Sequence, residues 1–306
     1  MDHPIRHTSL LALCAYTDSM NSLDQDTESL RQFFDNNPKI VVLTGAGISA
    51  ASGIPTYRDE AGRWLHNEPI QHQEFIDELP RRKRYWARSM RGWPRVRDAA
   101  PNTAHHALAT LEAAGHVSKV ITQNVDRLHQ RAGSQQVIDL HGRLDRVECL
   151  ECGTFECRDR LQRQLEKLNP GNISQMTRAA RPDGDADLPE DLVDGVRVPH
   201  CADCGGMLMP DVVFYGGTVP RSRVDDCMNA VENADALLTI GSSLQVFSGY
   251  RFCRHAAKTG KPIAIINPGV TRADDLSMLK FKTDCVTLLQ HLTQTLHPSS
   301  GHDSPS

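Results

Sequence analysis

Apolar positions along the chain fall into two alternating kinds of segment. Short, nearly continuous apolar runs occupy Lys39 to Thr44, Val117 to Thr122, Val137 to Leu140, Ala236 to Ile240 and Pro262 to Asn267, each bounded by polar, Gly or Pro residues. Runs with no polar face predict strands buried on both sides, as in a parallel sheet covered by helices. Between them apolar residues recur at helical spacing in Thr103 to Ala114, with Asn102 as N-cap and Gly115 just past the end, and in Phe247 to Thr259, ended by Gly260 and Pro262. This alternation of strand and helix predicts an α/β fold with a doubly wound parallel sheet. The stretch Glu148 to Pro210 breaks the rhythm with two C-x-x-C pairs and a polar Pro/Gly/Asp-rich segment around Arg181 to Pro189, so it reads as an inserted module. The first thirty residues and the tail from His297 read as poorly ordered ends.

Composition narrows the function classes. A chain of 306 residues holds one large domain, or a large domain carrying a smaller one. No run approaches the roughly 18 apolar residues of a membrane span. The apolar stretch Ser9 to Tyr16 is short, follows a single Arg and lacks a clear small-residue cleavage site, so no secretory signal is expected. A formal charge of -4 gives no overall basic field, which makes nucleic acid an unlikely partner. The cluster Arg81, Arg82, Lys83, Arg84, Arg88 and Arg91 is local and reads as a solvated helix face. Nine cysteines, an odd number, suit a reducing, cytoplasmic protein with a metal site better than a disulfide scaffold.

Cys149-x-x-Cys152 and Cys201-x-x-Cys204 form two thiolate pairs suited to tetrahedral zinc, although the 48 residues between them exceed the common spacing. Four sulfurs close the coordination shell, so such a zinc supports folding and leaves no position for a reacting water. The sequence Gly45-Ala46-Gly47-Ile48-Ser49 after the first strand allows close approach of a pyrophosphate, but a tight turn without ligand fits equally, and Ala50 breaks the dinucleotide fingerprint. Three polar clusters stand at predicted strand ends: Gln123-Asn124-Val125-Asp126, His141-Gly142 and Gly241-Ser242-Ser243. In an open α/β sheet these ends form the ligand crevice, so the clusters should converge there.

Taken together, GAGISAASGIPTYR (Gly45 to Arg58), TQNVDRLHQRAG (Thr122 to Gly133), LHGRLDRVECLEC (Leu140 to Cys152), CADCGG (Cys201 to Gly206), PDVVFYG (Pro210 to Gly216), GSSLQV (Gly241 to Val246) and INPG (Ile266 to Gly269) closely resemble the sirtuin family, in its order. RYWARSMRGWP (Arg84 to Pro94), PNTAHHAL (Pro101 to Leu108) and SLQVFSGYR (Ser243 to Arg251) look like its class II branch.

The resemblance implies a Rossmann-like domain over 31–144 and 211–296, with a helical excursion at about 64–100. A zinc module would span 145–210, between an N-terminal extension over 1–30 and a flexible tail over 297–306. It further implies an NAD-dependent protein lysine deacylase that yields nicotinamide, free lysine and O-acyl-ADP-ribose, with NAD and acylated-lysine proteins or peptides as partners. By the same resemblance His141 is the general base, Gln123 and Asn124 hold the ribose hydroxyls and an ordered water, and Asp126 binds the carboxamide. Ala46, Ile54, Pro55 and Tyr57 wall the nicotinamide pocket, with Arg58 near the phosphates. Gly45, Gly47, Ser49 and Val125 complete that side. Gly241, Ser242, Ser243, Asn267, Pro268 and Gly269 take the phosphate and adenosine-ribose side, and the Cys285 backbone lies near the adenine.

The resemblance also predicts that a peptide enters as an added strand between Val213, Phe214 and Gly216 on one side and Leu244 and Val246 on the other. Tyr85 and Arg88, three residues apart on a helix, would share one face and read an acidic acyl group. Three positions depart from the family pattern: Ala51 stands where Glu or Pro is frequent, Thr56 where Asp is frequent, and Gly217 where an acidic residue usually follows the Tyr-Gly pair. Two other outcomes are compatible with the motifs, a mono-ADP-ribosyltransferase and an NAD-sensing binding module, although a scaffold has no need of His141 and the Gln-Asn-x-Asp set.

Overall fold

The computed structural model describes residues 9–65, 69–170 and 195–296, with side chains from residue 22 onward. In chain order the elements are α1 (Ser9–Asn36), β1 (Ile40–Thr44), a 3₁₀ helix (Ala46–Ser52), α2 (His72–Asp77), α3 (Leu79–Asp98), α4 (Thr103–Ala113), β2 (Val117–Thr122), α5 (Leu128–Arg131), β3 (Val137–Asp139), β4 (Gly142–Cys149), β5 (Phe155–Cys157), α6 (Arg158–Leu168), β6 (Leu208–Val212), α7 (Arg221–Glu232), β7 (Ala236–Ile240), α8 (Phe247–Lys258), β8 (Ile263–Ile266), a short 3₁₀ turn (Asp274–Leu276), β9 (Leu279–Phe281) and α9 (Cys285–Leu296).

Six strands pair in parallel in the order β3-β2-β1-β7-β8-β9. Counted along the sheet this is the 3-2-1-4-5-6 order of the dinucleotide-binding fold, with its reversal between β1 and β7. Every residue of β1, β7 and β8 is buried. Alternate side chains serve opposite faces, as a period of two requires. Ile40 and Val42 of β1 pack with α1, α4 and α9, whereas Val41 and Leu43 pack with α7 and α8. All five predicted strands form, and both predicted helices start where read: Asn102 accepts from Ala104 N–H at 3.0 Å and caps α4.

A second, antiparallel sheet of three strands, β5-β4-β6, holds Cys149 at the end of β4, with Cys152, Cys201 and Cys204 in the turns beside it. It begins at Gly142, immediately after His141. Gly142 has φ +85°, and a Cβ there would lie 2.1 Å from the Asp211 carbonyl oxygen, so only glycine fits where the chain crosses from one sheet to the other. The module shares a core with the helical excursion: Phe75, Tyr85, Trp86 and Met90 pack with Val147, Leu161, Leu165, Leu208 and Phe214. The fully buried Arg158 of α6 joins the two pieces by donating to Gln162 Oε1 at 2.9 Å, to Ser89 Oγ at 3.1 Å and to the Ser89 carbonyl at 3.2 Å.

The extension over 1–30, expected to be poorly ordered, contains most of α1; from Leu23 it presents Leu30, Phe33 and Phe34 to the core at helical spacing, against α4 and α9. The helix α9 and the edge strand β9 were not read from the sequence at all. The residues 1–8 of the extension, the segment Arg181 to Pro189 and the tail 297–306 lie outside the described residues. Among the described residues no helix is long and apolar enough to cross a membrane.

Candidate active site

The reversal in strand order places the ends of β1 and β7 side by side, and their loops interlock. Gly47 N–H donates to the Gly241 carbonyl at 2.8 Å, and Gly45 N–H to that of Ile240 at 3.0 Å. A Cβ on Gly47 would sit 2.7 Å from Gly241 Cα. These glycines therefore serve first the contact between two loops, and these two N–H groups are engaged within the protein. The element that follows is a seven-residue 3₁₀ helix instead of a full α-helix.

A cavity of about 730 Å³ opens beyond these loops. It is walled by Gly45, Ala46, Gly47, Ser49, Ile54, Tyr57 and Arg58; by Gln123, Asn124, Val125, Asp126 and His141; by Val213, Phe214, Gly216, Leu244 and Val246; by Gly241, Ser242, Ser243, Asn267, Pro268, Gly269 and Cys285; and by Tyr85. Pro55 is not part of this wall, nor is Arg88, which lies buried on α3. Residues three apart on a helix are turned by about 60° from each other, so Arg88 neighbours Tyr85 on α3. Residues of the wall that sequence reasoning missed include Ser248 and Arg251 of α8.

The Gln123–Asp126 loop is held from several sides. Gln123 N–H donates to the Thr44 carbonyl at 2.9 Å, and its side-chain Nε2 donates to Ser242 Oγ at 2.8 Å. Asn124 Nδ2 donates to the Gly45 carbonyl at 3.0 Å and to Ser49 Oγ at 3.1 Å. Asp126 accepts from Ser49 Oγ at 2.7 Å and from Leu128 N–H at 2.9 Å. Burial pushes the Asp126 carboxyl upward, and these two donors work against that shift by favouring the carboxylate.

Behind this loop lies a buried polar chain that the sequence did not announce. Ser49 Oγ is 3.5 Å from His105 Nε2, the His105 and His129 rings are 4.9 Å apart, and His129 Nε2 is 2.9 Å from Thr44 Oγ1, which donates to Thr122 Oγ1. Burial lowers His105 to about 4 and His129 well below the usual range, so both rings are neutral at pH 7.

His141 is half-buried between β3 and β4. Its Nδ1 lies 3.0 Å from the Gln123 carbonyl oxygen and its Nε2 2.7 Å from Ser248 Oγ. Burial depresses it to about 4, helped by Arg223 and Arg251 and opposed by the Gln123 hydrogen bond. It is a neutral acceptor throughout the physiological range.

On the peptide side, Val213 N–H donates to the His141 carbonyl at 2.8 Å, and His72 N–H to that of Tyr215 at 2.7 Å. Leu244, opposite, takes a left-handed φ of +56°. At Gly217 a Cβ would sit 2.9 Å from the Phe214 carbonyl oxygen, so the turn is too tight for a larger residue without adjustment.

The sulfur atoms of Cys149, Cys152, Cys201 and Cys204 all lie within 4.8 Å of one another. Cys149 and Cys204 are 3.5 Å apart and Cys152 and Cys201 3.8 Å. Tetrahedral zinc with Zn–S near 2.3 Å requires S···S separations of roughly 3.8 Å, so the four thiolates fit that ion.

The parallel sheet with its switch-point crevice, neutral imidazole and separate thiolate cluster defines a dinucleotide-binding α/β protein with a structural metal module. Residues 45–248 match the Sir2 family, and the chain belongs to it. It is 50% identical to an NAD-dependent protein deacetylase of Xanthomonas campestris, over 90% of this chain and 94% of that one. It is 44% identical to the NAD-dependent protein lipoamidase sirtuin-4, mitochondrial, of Homo sapiens, over 94% of this chain and 92% of that one. Among solved structures it resembles "Sir2-p53 peptide-NAD+", with a TM-score of 0.73 and 28% identity over 89% of this chain and 99% of that one.

Proposed function

We propose that the chain is an NAD-dependent protein lysine deacylase. The observation that carries this reading is the composition of one cavity: dinucleotide-fold loops on one side, the two peptide-flanking segments on the other, and a neutral His141 between them. The residues fit the cofactor, since the crevice lies at the switch point and offers the amide side chains of Gln123 and Asn124 and the guanidinium of Arg58. NAD supplies the activated ribose carbon and accepts the acyl group.

In this reading His141 takes a proton from a ribose hydroxyl at Nε2, because Nδ1 faces a carbonyl that only accepts. Gln123 and Asn124 orient the ribose, and Asp126, whose carboxylate form Ser49 and Leu128 N–H favour against burial, accepts from the carboxamide. The peptide adds as a strand between Val213–Gly216 and Leu244–Val246, held through backbone groups and therefore with loose side-chain preference. Tyr85 of α3 lies on the cavity wall. Acetyl and longer neutral acyl groups are the expected substrates, in keeping with relatives named deacetylase and lipoamidase. Thiolate zinc ligands suit a reducing compartment, and we place the enzyme in the cytoplasm.

A panel of acetyl-, longer neutral acyl- and glutaryl-lysine peptides with NAD, read by mass, tests the reading. Nicotinamide, free lysine and O-acyl-ADP-ribose should form in equal amounts, with the glutaryl peptide the poorest substrate. ADP-ribosylated protein without O-acyl-ADP-ribose would make the chain a transferase, and NAD binding without any product would make it a sensor. His141→Ala should lower deacylation by about 10²- to 10⁴-fold with NAD binding retained.

A further inference from the structure

The ring of His141 is occupied at both nitrogens. Nδ1 faces the Gln123 carbonyl oxygen at 3.0 Å, and a carbonyl cannot donate, so Nδ1 carries the ring proton. Nε2 is then the bare nitrogen, and the hydroxyl 2.7 Å away, Ser248 Oγ–H, must be the donor to it. A ring nitrogen has one in-plane lone pair. The atom that has to receive a proton from substrate is therefore already engaged by a side chain of the protein.

The contact depends on how closely α8 approaches the β2 end. Ser248 and Gly249 lie in the first turn of that helix. At Gly249 a Cβ would fall 2.6 Å from Gln123 Oε1, so this turn packs directly against the Gln123 side chain. Gln123 thus fixes the base twice, through its carbonyl at Nδ1 and through the seat it gives to the turn that carries Ser248. The charged groups acting on the ring are Arg223 from α7 and Arg251 from α8, both cations.

We propose that Ser248 is a positioning residue that stands in for the ribose hydroxyl: it holds His141 in the reactive tautomer and rotamer in the empty enzyme, and it is displaced when NAD binds. The inference rests on His141 being the base. In the transfer that follows displacement, the O–H bond of the ribose hydroxyl breaks, its electron pair stays on oxygen, and the proton forms an N–H bond at Nε2. The released Ser248 hydroxyl turns to another acceptor or to water. Part of the NAD binding energy is then spent on breaking a contact inside the protein, and removing that contact should tighten NAD binding.

The test compares the unaltered enzyme with Ser248→Ala, Ser248→Thr and His141→Ala. Ser248→Ala should bind NAD about 2- to 10-fold more tightly by calorimetry, the value of one net hydrogen bond, and lower KM for NAD by more than it changes kcat. The acid limb of its kcat/KM profile should move to higher pH, because the neutral ring loses the donor that favoured it. Ser248→Thr, which keeps the hydroxyl, should behave as the unaltered enzyme. Nitrogen-15 spectra of the histidine rings, taken without NAD, should show His141 protonated at Nδ1; a proton at Nε2 overturns the proposal even if no variant folds. Unchanged or weaker NAD binding by Ser248→Ala overturns it, and so does a fall in kcat at constant KM, which would make the hydroxyl a proton relay. If instead His141→Ala keeps its turnover, the base assignment fails while the tautomer and affinity results still stand by themselves.

Discussion

The two sheets of this protein solve the same problem, enclosing a cavity, with different forces. The six-stranded sheet is apolar on both faces and covered by helices on each, so burial of its faces adds to the pairing of its strands. The three-stranded sheet has a smaller core shared with α2 and α3, an exposed edge strand in β5, and two devices the larger sheet lacks: a thiolate cluster and a buried arginine. The catalytic wall is built from both. A region with little apolar surface to bury is held by a few strong directional contacts, and it should fail by losing one of them.

Metal removal should separate the two regions most sharply. Chelation, or Cys149→Ser or Cys204→Ser, takes away a site whose binding energy is folding energy, on the order of 10 kcal/mol in small zinc peptides. The expected result is loss of bound zinc, early hydrogen exchange over β4, β5 and β6, and activity below detection, while the amides of β1, β7 and β8 stay protected. Equal loss of protection in both sheets would mean that the large one is not independent. A smaller effect is expected for Arg158→Met, which leaves Gln162 and the Ser89 carbonyl without their donor. That should cost about 1–3 kcal/mol and lower the unfolding midpoint of the small domain, with zinc still bound. Smallest of all should be Arg88→Met. With Arg88 outside the cavity wall, the ratio of acetyl to glutaryl turnover should stay within about twofold, whereas a selective change in glutaryl turnover would put Arg88 back in contact with the acyl group.

How much of this was legible in the sequence follows from the same contrast. The buried strands are continuous apolar runs, and their polar ends, Gln123 to Asp126, His141 and Gly241 to Ser243, converge as an open sheet dictates. The zinc site was legible because two C-x-x-C pairs state their chemistry by spacing. Strand β9 escaped because it is a three-residue edge strand with Lys280 at its centre. Helix α1 escaped because acidic and polar residues between Leu23 and Phe34 mask a stripe that only tertiary packing reveals. The roles of His105 and His129 depend on contacts across 56 and 85 positions, and that of Ser248 on one across 107. Local pattern carries no trace of such distances. That the glycines of the first loop also let the β1 and β7 loops interlock is likewise a long-range contact.

Gly142 and Val212, where the metal-bearing excursion leaves and returns, are paired neighbours on adjacent strands. An insertion whose two ends already meet adds little closure entropy, however long it grows. The segment between them is in effect an exchangeable cassette: a different module could be spliced in at those two points without altering the course of the large sheet. The graft would have to preserve the one glycine geometry beside His141, since the junction abuts the base itself. Variation in what this scaffold recognises can therefore accumulate in the cassette while the proton-transfer apparatus is inherited unchanged.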